Sequence, residues 1–279
     1  MTISRRTFLG GLFLGLSAIR GTRWGYAQSN VKRYVRFQKG RQAVYGLLEG
    51  ETIHELSGSI FEKAEKTGKS FSLREVKLLA PCEPTKVLAV GGNYSSHLGD
   101  NPPYEKPELF FMVPSAVLEP EGKIVIPEGT QDCHYEGELV VVIGKKAKNI
   151  SVEEAKDYVF GVTCGNDVSA RDWQKNDMQW WRAKGSDTFA GLGPAIAVGV
   201  NYDDLLLTTR LNGEVKQQQR TSDFIFNVHA VVSFVSQFIT LLPGDVIYTG
   251  TPGHTSAMKS GDVVEVEIEG IGILRNQVK

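Results

Sequence analysis

The sequence predicts a mainly β protein with some helix, a chain of the α+β class. Short apolar runs recur along it, glycine and proline interrupt them at close intervals, and from residue 86 onward only two segments are credible helices. The 30 glycines and 11 prolines supply these interruptions. A hydrophobic content of 41% with 23% charged residues excludes a disordered chain and a collagen-like chain.

Residues 1–27 are predicted to be a twin-arginine signal peptide that is not part of the fold. Arg5 and Arg6 precede a weakly apolar run over 10–19, which is shorter than the roughly 20 residues of a membrane-spanning helix. The step Gly-Tyr-Ala at 25–27 is typical of signal peptidase cleavage. A basic helical start of a cytosolic protein is the alternative. We expect a periplasmic or other extracytoplasmic location, with no stable membrane anchor after cleavage.

The charge balance predicts that nucleic acid is not a partner. Lys and Arg total 31 and Asp and Glu total 32, a formal net charge of −1. Because the predicted signal peptide holds four arginines and no acid, the mature chain is near −5 and has no strong basic field. Cys82, Cys133 and Cys164 lack CxxC spacing, which predicts neither a zinc ribbon nor a disulfide framework.

Residues 28–82 are predicted to form a small β-rich N-terminal domain. Three segments read as strands, over 34–37, 43–48 and 52–56. The tripeptide Glu-Gly-Glu at 49–51 predicts a hairpin turn between the last two. A short helix is expected near 59–67. Pro81 and Pro84 flank the boundary with a second domain over 83–279.

The second domain is predicted to be rich in strands, with two helices. Its candidate strands are apolar segments between breaks, over 86–90, 109–112, 123–126, 138–143, 160–166, 195–200, 205–211, 246–249 and 262–269. The helix over 151–158 opens with Ser151 and Glu154 at capping-box spacing. The helix over 226–238 is apolar around most of its surface, and we expect it to be buried. Nucleotide-binding glycine motifs are absent from the sequence.

The most informative segment is a predicted buried strand that begins with two acids. Glu136 and Glu138 precede the run Leu-Val-Val-Val-Ile over 139–143, and alternate residues of a strand face the same side. Two buried carboxylates side by side repel each other unless a cation or hydrogen-bond donors compensate. Oxygen ligands favour a hard cation, and we expect Mg²⁺, with Mn²⁺ or Ca²⁺ as alternatives. A solvated strand end that binds nothing is the other interpretation.

A third acid, Asp167, stands where another apolar run ends, which is a usual position for a functional side chain. The residues around it have structural interpretations as well. Asp172 could pair with its neighbour Arg171, and Asn166 and Ser169 could be helix caps.

Three loop segments hold further candidates. His97 and Asp100 are three residues apart, so one helical turn would let the carboxylate orient the imidazole as a general base. A structural histidine is the alternative. Lys184 lies in a glycine-adjacent turn, and Thr251 follows a strand where its loop could meet an oxyanion. Either loop could equally be an ordinary surface turn.

Seven blocks, taken in order, resemble the fumarylacetoacetate hydrolase family. They are Gly-Asn-Tyr-Ser-Ser-His at 92–97, Tyr-Glu-Gly-Glu-Leu at 135–139, Asn-Asp-Val-Ser-Ala-Arg-Asp at 166–172, Lys-Gly-Ser-Asp-Thr-Phe at 184–189, Leu-Gly-Pro at 192–194, Leu-Asn-Gly-Glu at 211–214 and Pro-Gly-Asp-Val-Ile-Tyr-Thr-Gly-Thr-Pro at 243–252. The resemblance covers roughly residues 85–278, while 28–80 resembles only the family's variable N-terminal part.

The resemblance implies a mixed β-sandwich roll that forms a homodimer, with one divalent metal ion in each active site. It implies that Glu136, Glu138 and Asp167 bind the ion. It also implies that His97 helps to activate a water molecule and that Lys184 binds or polarises the substrate carbonyl. The partner expected is a small keto or diketo acid.

Four further residues receive roles from the same resemblance. Arg171 and Gln174 would orient the substrate or the groups that bind the metal ion. Gln219 and Thr251 would contact oxygen atoms of the substrate.

The activity implied is hydrolysis of a C–C bond in an acylpyruvate or a fumarylacetoacetate-like diketo acid. Family hydrolases often carry Glu at the position of Asp100, and this departure favours one alternative, an isomerase or decarboxylase of a related keto-dioate. A keto-acid binding protein without turnover is the alternative from another class.

Overall fold

The computed structural model describes residues 30–279, so the twin-arginine signal predicted over 1–27 lies outside the described residues. The strands of the described chain are β1 (Lys32–Lys39), β2 (Gln42–Glu49), β3 (Thr52–Ser57), β4 (Glu65–Ser72), β5 (Leu78–Leu79), β6 (Val87–Gly91), β7 (Glu108–Met112), β8 (Val117–Leu118), β9 (Lys123–Ile124), β10 (Cys133–His134), β11 (Gly137–Ile143), β12 (Val159–Asp167), β13 (Ser169–Ala170), β14 (Ala190–Val198), β15 (Leu206–Leu211), β16 (Glu214–Arg220), β17 (Val246–Tyr248), β18 (Val263–Ile268) and β19 (Gly272–Val278). The α-helices are α1 (Ser95–Leu98), α2 (Arg171–Asn176), α3 (Trp181–Gly185) and α4 (Val228–Phe238). This is the mainly β composition that the sequence predicts.

The strands form two main sheets. The larger has twelve strands, ten of them in the order β4-β3-β2-β1-β14-β12-β11-β17-β6-β7, with β5 beside β1 and β8 beside β14. The second sheet has five strands in the order β16-β15-β18-β19-β9, and β10 pairs with β13 in a short ribbon. The five-stranded sheet packs against β11, β12 and β14, so the centre of the molecule is a β-sandwich.

The central strand β11 is buried along its whole length. Leu139 and Val141 pack in the cluster that contains Val266 of the five-stranded sheet, whereas Val140 and Val142 belong to the cluster on the opposite face. A strand covered on both faces needs apolar residues at consecutive positions, which explains the unbroken run that marks it in the sequence.

The N-terminal strands continue the large sheet. β1 pairs antiparallel with β14, so that Tyr34 lies opposite Ile196. The turn predicted at 49–51 connects β2 and β3, and Gly50 has a φ of 62° there. The boundaries of the predicted N-terminal domain stay a prediction, because its strands share hydrogen bonds with the second domain.

Of the predicted helices, the one over 226–238 is confirmed as α4. The Asn227 side chain accepts a hydrogen bond from the Ala230 backbone N–H at 2.9 Å, which begins the helix. Val231 and Val235 are buried, while Phe238 near the end of the helix is 71% exposed. No helix among residues 30–279 is long and apolar enough to cross a membrane.

The other two helix predictions need correction. At 151–158 the capping box forms, because the Ser151 N–H donates to Glu154 Oε2 at 2.8 Å, but only the 3₁₀ turn Ala155–Asp157 follows. No helix lies near 59–67, where the chain turns and then enters β4. β4 is a polar edge strand held by its pairing with β3, so it lacks the apolar alternation that identifies a strand in a sequence.

Candidate active site

Antiparallel pairing of β11 with β12 brings the three predicted metal ligands together. Glu136 and Glu138 flank the first residue of β11, and Asp167 is the last residue of β12. Gly137 lies opposite Asn166, and the Asp167 N–H donates to the Glu136 carbonyl at 2.9 Å. All three carboxyl groups are buried, and one oxygen atom from each lies within 4.8 Å of the others. The interpretation of a solvated strand end is therefore wrong.

Lys184 lies between two of these acids. It belongs to α3 and is 2% exposed, so the prediction that it lies in a glycine-adjacent turn is wrong. Its Nζ donates to Glu136 Oε2 at 2.6 Å and to Asp167 Oδ2 at 2.7 Å. Burial lowers the pKa of the ammonium group, but Asp167 and Glu136 outweigh burial and raise it overall. The side chain therefore stays charged at the centre of the site.

Arg171 provides a second cation at the start of α2. Its guanidinium donates to Glu136 Oε1, to Gln174 Oε1 at 2.7 Å and to Thr255 Oγ1 at 3.0 Å. The alternative pair with Asp172 does not form, since the carboxylate of Asp172 accepts from Thr130 and Gln131 instead. Gln174 therefore lies in the site through Arg171, and the substrate-orienting role of both residues stays a prediction.

The pKa values of the three carboxyl groups shift in different directions because their neighbours differ. Burial raises the pKa of Glu136, but Lys184 and Arg171 outweigh it and hold that pKa well below its ordinary value. Burial, followed by the charges of Asp167 and Glu136, raises the pKa of Glu138 well above its ordinary value. Burial raises the pKa of Asp167 to about 7, although Lys184 opposes the shift. The positive charges of Lys184 and Arg171 thus do not offset the cost of burying all three carboxyl groups.

These residues fit a divalent metal ion. Asp167 Oδ1 is buried and has no hydrogen-bond partner within residues 30–279, so one oxygen atom of the cluster lacks the donor that burial demands. The ligands available are all carboxylate oxygens, which is the set that hard cations prefer. Glu136, Glu138 and Asp167 would hold the ion, while its identity as Mg²⁺ stays a prediction.

His97 faces the same cluster from α1. Its Nδ1 lies 2.6 Å from the carbonyl oxygen of Gly253. A carbonyl only accepts hydrogen bonds, so this contact places a hydrogen on Nδ1, and Nε2 is the acceptor whenever the ring is in its neutral form. Nε2 lies 3.6 Å from Glu136 Oε1. Nε2 is therefore the nitrogen that the ring presents to the carboxylate cluster.

The predicted orientation of His97 by Asp100 is wrong. Asp100 is exposed and makes no hydrogen bond or ion pair with His97 among residues 30–279. Helix α1 ends at Leu98, and Gly99 follows with a φ of 60°, so Asp100 does not continue the helical turn. The backbone carbonyl of Gly253 takes the place of the carboxylate.

The two residues predicted to contact substrate oxygens have protein partners. Thr251 is buried, and its hydroxyl donates to the Gly137 carbonyl and accepts from Gln217 Nε2, both at 2.8 Å. Gln219 Oε1 accepts from the Ser96 hydroxyl at 2.6 Å. Their contacts with substrate stay predictions.

Asn166 and Ser169 do not cap a helix. Asn166 Oδ1 accepts from the Glu136 N–H at 2.9 Å, and the Ser169 hydroxyl donates to the Asp167 carbonyl at 2.9 Å. Both side chains therefore fix the backbone that carries the acids.

Sequence reasoning missed several polar groups that support the site, among them the side chains of Gln217 and Thr255 and the backbone carbonyl of Gly253. Gln217 is buried within the polar segment 214–220, whose other side chains gave no apolar pattern from which to derive a strand face. Gly253 contributes a carbonyl group, which no sequence motif can display.

The fold and the site define an enzyme in which a buried carboxylate cluster can hold a divalent ion beside a lysine and a histidine. Residues 86–279 match the family model described as fumarylacetoacetate (FAA) hydrolase C-terminal, and residues 32–81 match the one described as Rv2993c-like, N-terminal. The chain belongs to the fumarylacetoacetate hydrolase family, as its sequence blocks predict.

Two curated relatives and one solved structure show how close the similarity is. An uncharacterised protein of Methanocaldococcus jannaschii is 47% identical over 218 residues, 77% of this chain and 89% of that protein. The mitochondrial oxaloacetate tautomerase fahd2 of Xenopus laevis is 40% identical over 240 residues, 78% of this chain and 75% of that protein. The crystal structure of 2-hydroxyhepta-2,4-diene-1,7-dioate isomerase from Mycobacterium marinum has a TM-score of 0.84 and 42% identity, covering 88% of this chain and 98% of that one.

Proposed function

We propose that this protein is a divalent-metal-dependent tautomerase or isomerase of a 2-oxo acid, which moves a proton from the carbon beside the keto group. The observation that carries the proposal is the meeting of two functional groups at Glu136. Nε2 of His97 lies 3.6 Å from one oxygen of that carboxylate, and Nζ of Lys184 donates to the other at 2.6 Å. The names of the Xenopus and Mycobacterium relatives describe rearrangements, which supports the same class.

The proposed roles follow from the charges of the side chains. When bound, the metal ion supplies a Lewis acid for a carbonyl or carboxylate oxygen. Nε2 of His97 takes the proton from the substrate carbon and returns it to the enolate oxygen or to a conjugated carbon, so that no atom is gained or lost. Lys184 stabilises the negative charge that develops on the oxygen, and its burial protects that interaction from screening by water. Lys184 and Arg171 together keep Glu136 ionised.

Hydrolysis of a diketo-acid C–C bond, the activity implied by the sequence resemblance, is the second candidate. The observation that favours it is the same acceptor Nε2 of His97, which can take a proton from water as well as from carbon. It ranks second because Asp100, the acid expected to support water activation, makes no contact with His97.

The test follows oxaloacetate and an acylpyruvate by enol absorbance, with pyruvate release measured in parallel, using protein loaded with Mg²⁺ or Mn²⁺. We expect enol–keto exchange that EDTA stops and that His97→Ala reduces at least about 100-fold. His54→Ala is the matched control, because His54 lies on β3, outside the candidate site. Pyruvate release from the acylpyruvate would favour hydrolysis. Loss of oxaloacetate to pyruvate without faster exchange would favour decarboxylation, and binding without turnover would favour the non-catalytic alternative.

We also propose that the protein is exported and forms a homodimer. Arg5 and Arg6, followed by the apolar run over 10–19, support export by the twin-arginine route. Replacing both arginines with lysine in the full chain should retain the protein inside the cell, as measured by fractionation, and unchanged secretion would contradict the proposal. The family resemblance supports the dimer, which light scattering coupled to gel filtration tests directly.

A further inference from the structure

Gln217 is a buried amide outside the set of residues that the sequence singled out. It lies on β16 of the five-stranded sheet and is 3% exposed. Its Oε1 accepts from the Gly137 N–H at 3.1 Å, and its Nε2 donates to Thr251 Oγ1 at 2.8 Å and to the Pro252 carbonyl at 2.6 Å. Both Nε2 hydrogens and the carbonyl oxygen therefore have partners, which a buried amide requires.

The first of these partners lies between two of the predicted metal ligands. Gly137 separates Glu136 from Glu138, and β17 pairs with β11 only from Val140 to Val142. At Gly137 side chains replace the missing strand, because Gln217 binds its N–H and Thr251 binds its carbonyl. Gly137, which sets the spacing of the two acids, is thus held by one side chain of the five-stranded sheet and by one side chain of the loop after β17.

Close packing between the two sheets requires a glycine at position 137. A Cβ atom at Gly137 would lie 1.9 Å from Oγ1 of Thr209 on β15. The five-stranded sheet consequently approaches the backbone of β11 closely enough for Gln217 to reach it. A side chain at position 137 would push the two sheets apart.

The remaining partners of Gln217 belong to the loop over 250–253, which touches the site twice. The Gly250 N–H donates to Glu138 Oε2 at 2.7 Å, and the Gly253 carbonyl fixes the tautomer of His97. One amide thereby connects the strand that carries the acids with the loop that orients both Glu138 and the histidine.

We propose that Gln217 is a positioning residue for the divalent ion: it sets the spacing of Glu136 and Glu138 and holds the loop over 250–253 against them. The proposal rests on the proposed function, since that function requires the ion. Polar groups behind metal ligands typically change metal affinity by about 10- to 100-fold when removed.

The experiment measures Mn²⁺ binding to the metal-free protein by calorimetry. Gln217→Met is the deciding variant, because it keeps the length of the side chain without its hydrogen bonds, and Gln217→Ala is a second one. Gln218→Ala is the matched control, since this neighbour on β16 is exposed and bonds only to Thr208 among the described residues. We expect at least about a tenfold rise in the Mn²⁺ dissociation constant for the Gln217 variants, and less than about a twofold change for the control.

Circular dichroism and urea unfolding separate positioning from a loss of fold. A folded Gln217→Met protein that binds Mn²⁺ as tightly as the parent would overturn the proposal, even if its stability falls. A folded parent protein that binds no Mn²⁺ would instead remove the proposed function, and the role of Gln217 with it. Weaker binding in both Gln217 variants, with the fold retained, supports the positioning role.

Discussion

At the scale of single residues, Asp245 is a buried acid that serves the fold. Its carboxylate accepts hydrogen bonds from the Thr85 N–H and hydroxyl, the Lys86 N–H and the Leu242 N–H, and it lies 2.7 Å from Lys86 Nζ. These contacts join the turn before β17 to the segment that enters β6, and the two strands then pair in parallel. The acid in the Pro-Gly-Asp block thus aligns two central strands.

We predict that Asp245→Asn lowers the free energy of unfolding by about 3 kcal/mol, because an amide leaves some of the buried donors unpaired and Lys86 without its partner. Urea unfolding measures the effect. Glu121→Gln is the control, since the pair between Glu121 and Arg275 is exposed and contributes little. A loss below about 1 kcal/mol would contradict the role assigned to Asp245.

Asp172 supplies a pH-dependent contribution to stability. Its carboxylate accepts from the Thr130 hydroxyl at 2.6 Å, the Gln131 N–H at 3.2 Å and the Trp173 N–H at 3.0 Å. Burial raises the pKa of this carboxyl, but the hydrogen bonds outweigh burial and lower it overall. A lowered pKa in the folded state means that the stabilisation is present above the unfolded pKa of about 3.9 and is lost as the pH falls through the folded value.

We therefore expect Asp172→Asn to reduce stability by about 1 kcal/mol at pH 7, with a difference from the parent that shrinks as the pH falls below about 4. Urea unfolding at a series of pH values measures this difference. A constant difference across the whole range would show that the charge of Asp172 contributes nothing.

Some contacts in the site can be predicted from the sequence, and others cannot. Glu136 and Glu138 were predictable because acids at the head of an apolar strand are costly without compensation. The partner of His97 was not, because Gly99 ends the helical turn that three-residue spacing assumes, and the actual partner is a carbonyl 156 residues away. A motif specifies side chains, whereas this contact depends on how two distant loops meet.

At the scale of elements, α4 shows when a helix can be predicted. Its apolar surface packs in the main core cluster, and Asn227 caps its first turn. β16 was not predicted, because its side chains are mostly polar and exposed and its pairing with β15 defines it. Local pattern thus identifies elements that bury apolar faces, while polar edge strands depend on their neighbours.

The cap of α4 gives a prediction at this scale. Asn227→Ala should lower the free energy of unfolding by about 1 kcal/mol, because the Ala230 N–H loses its acceptor. Asn227→Ser should retain most of the stability, since a serine hydroxyl can accept the same hydrogen bond. Thermal or urea unfolding compares the three proteins, and equal stability of the Ala and Ser variants would exclude capping as the cause.

At the scale of the whole molecule, the free thiols lie within the interior. Cys82, Cys133 and Cys164 are buried and unpaired within the described chain, as the absence of a disulfide pattern predicts. Burial raises the pKa of Cys82 and of Cys133 to about 12, and it raises the pKa of Cys164 further. The reactive thiolate form is therefore scarce at neutral pH.

We predict that the folded protein does not react with a thiol reagent such as DTNB at pH 8 within minutes, and that three thiols react after denaturation in urea. The physical reason is that both access and deprotonation require unfolding. Fast reaction of one thiol in the native protein would locate an opening that the fold does not show.

The pairing of β1 with β14 has a consequence for biosynthesis. The hairpin β1–β2 and the neighbouring β3 can form as soon as they leave the ribosome, and β5 then covers part of the other edge of β1, but the part over 32–34 stays open until Ala190–Val198 has been made. An open strand edge during synthesis favours aggregation, and contacts so distant in sequence slow folding. The nascent chain therefore passes through a stage in which the start of β1 is exposed to wrong pairing until its final neighbour is synthesised.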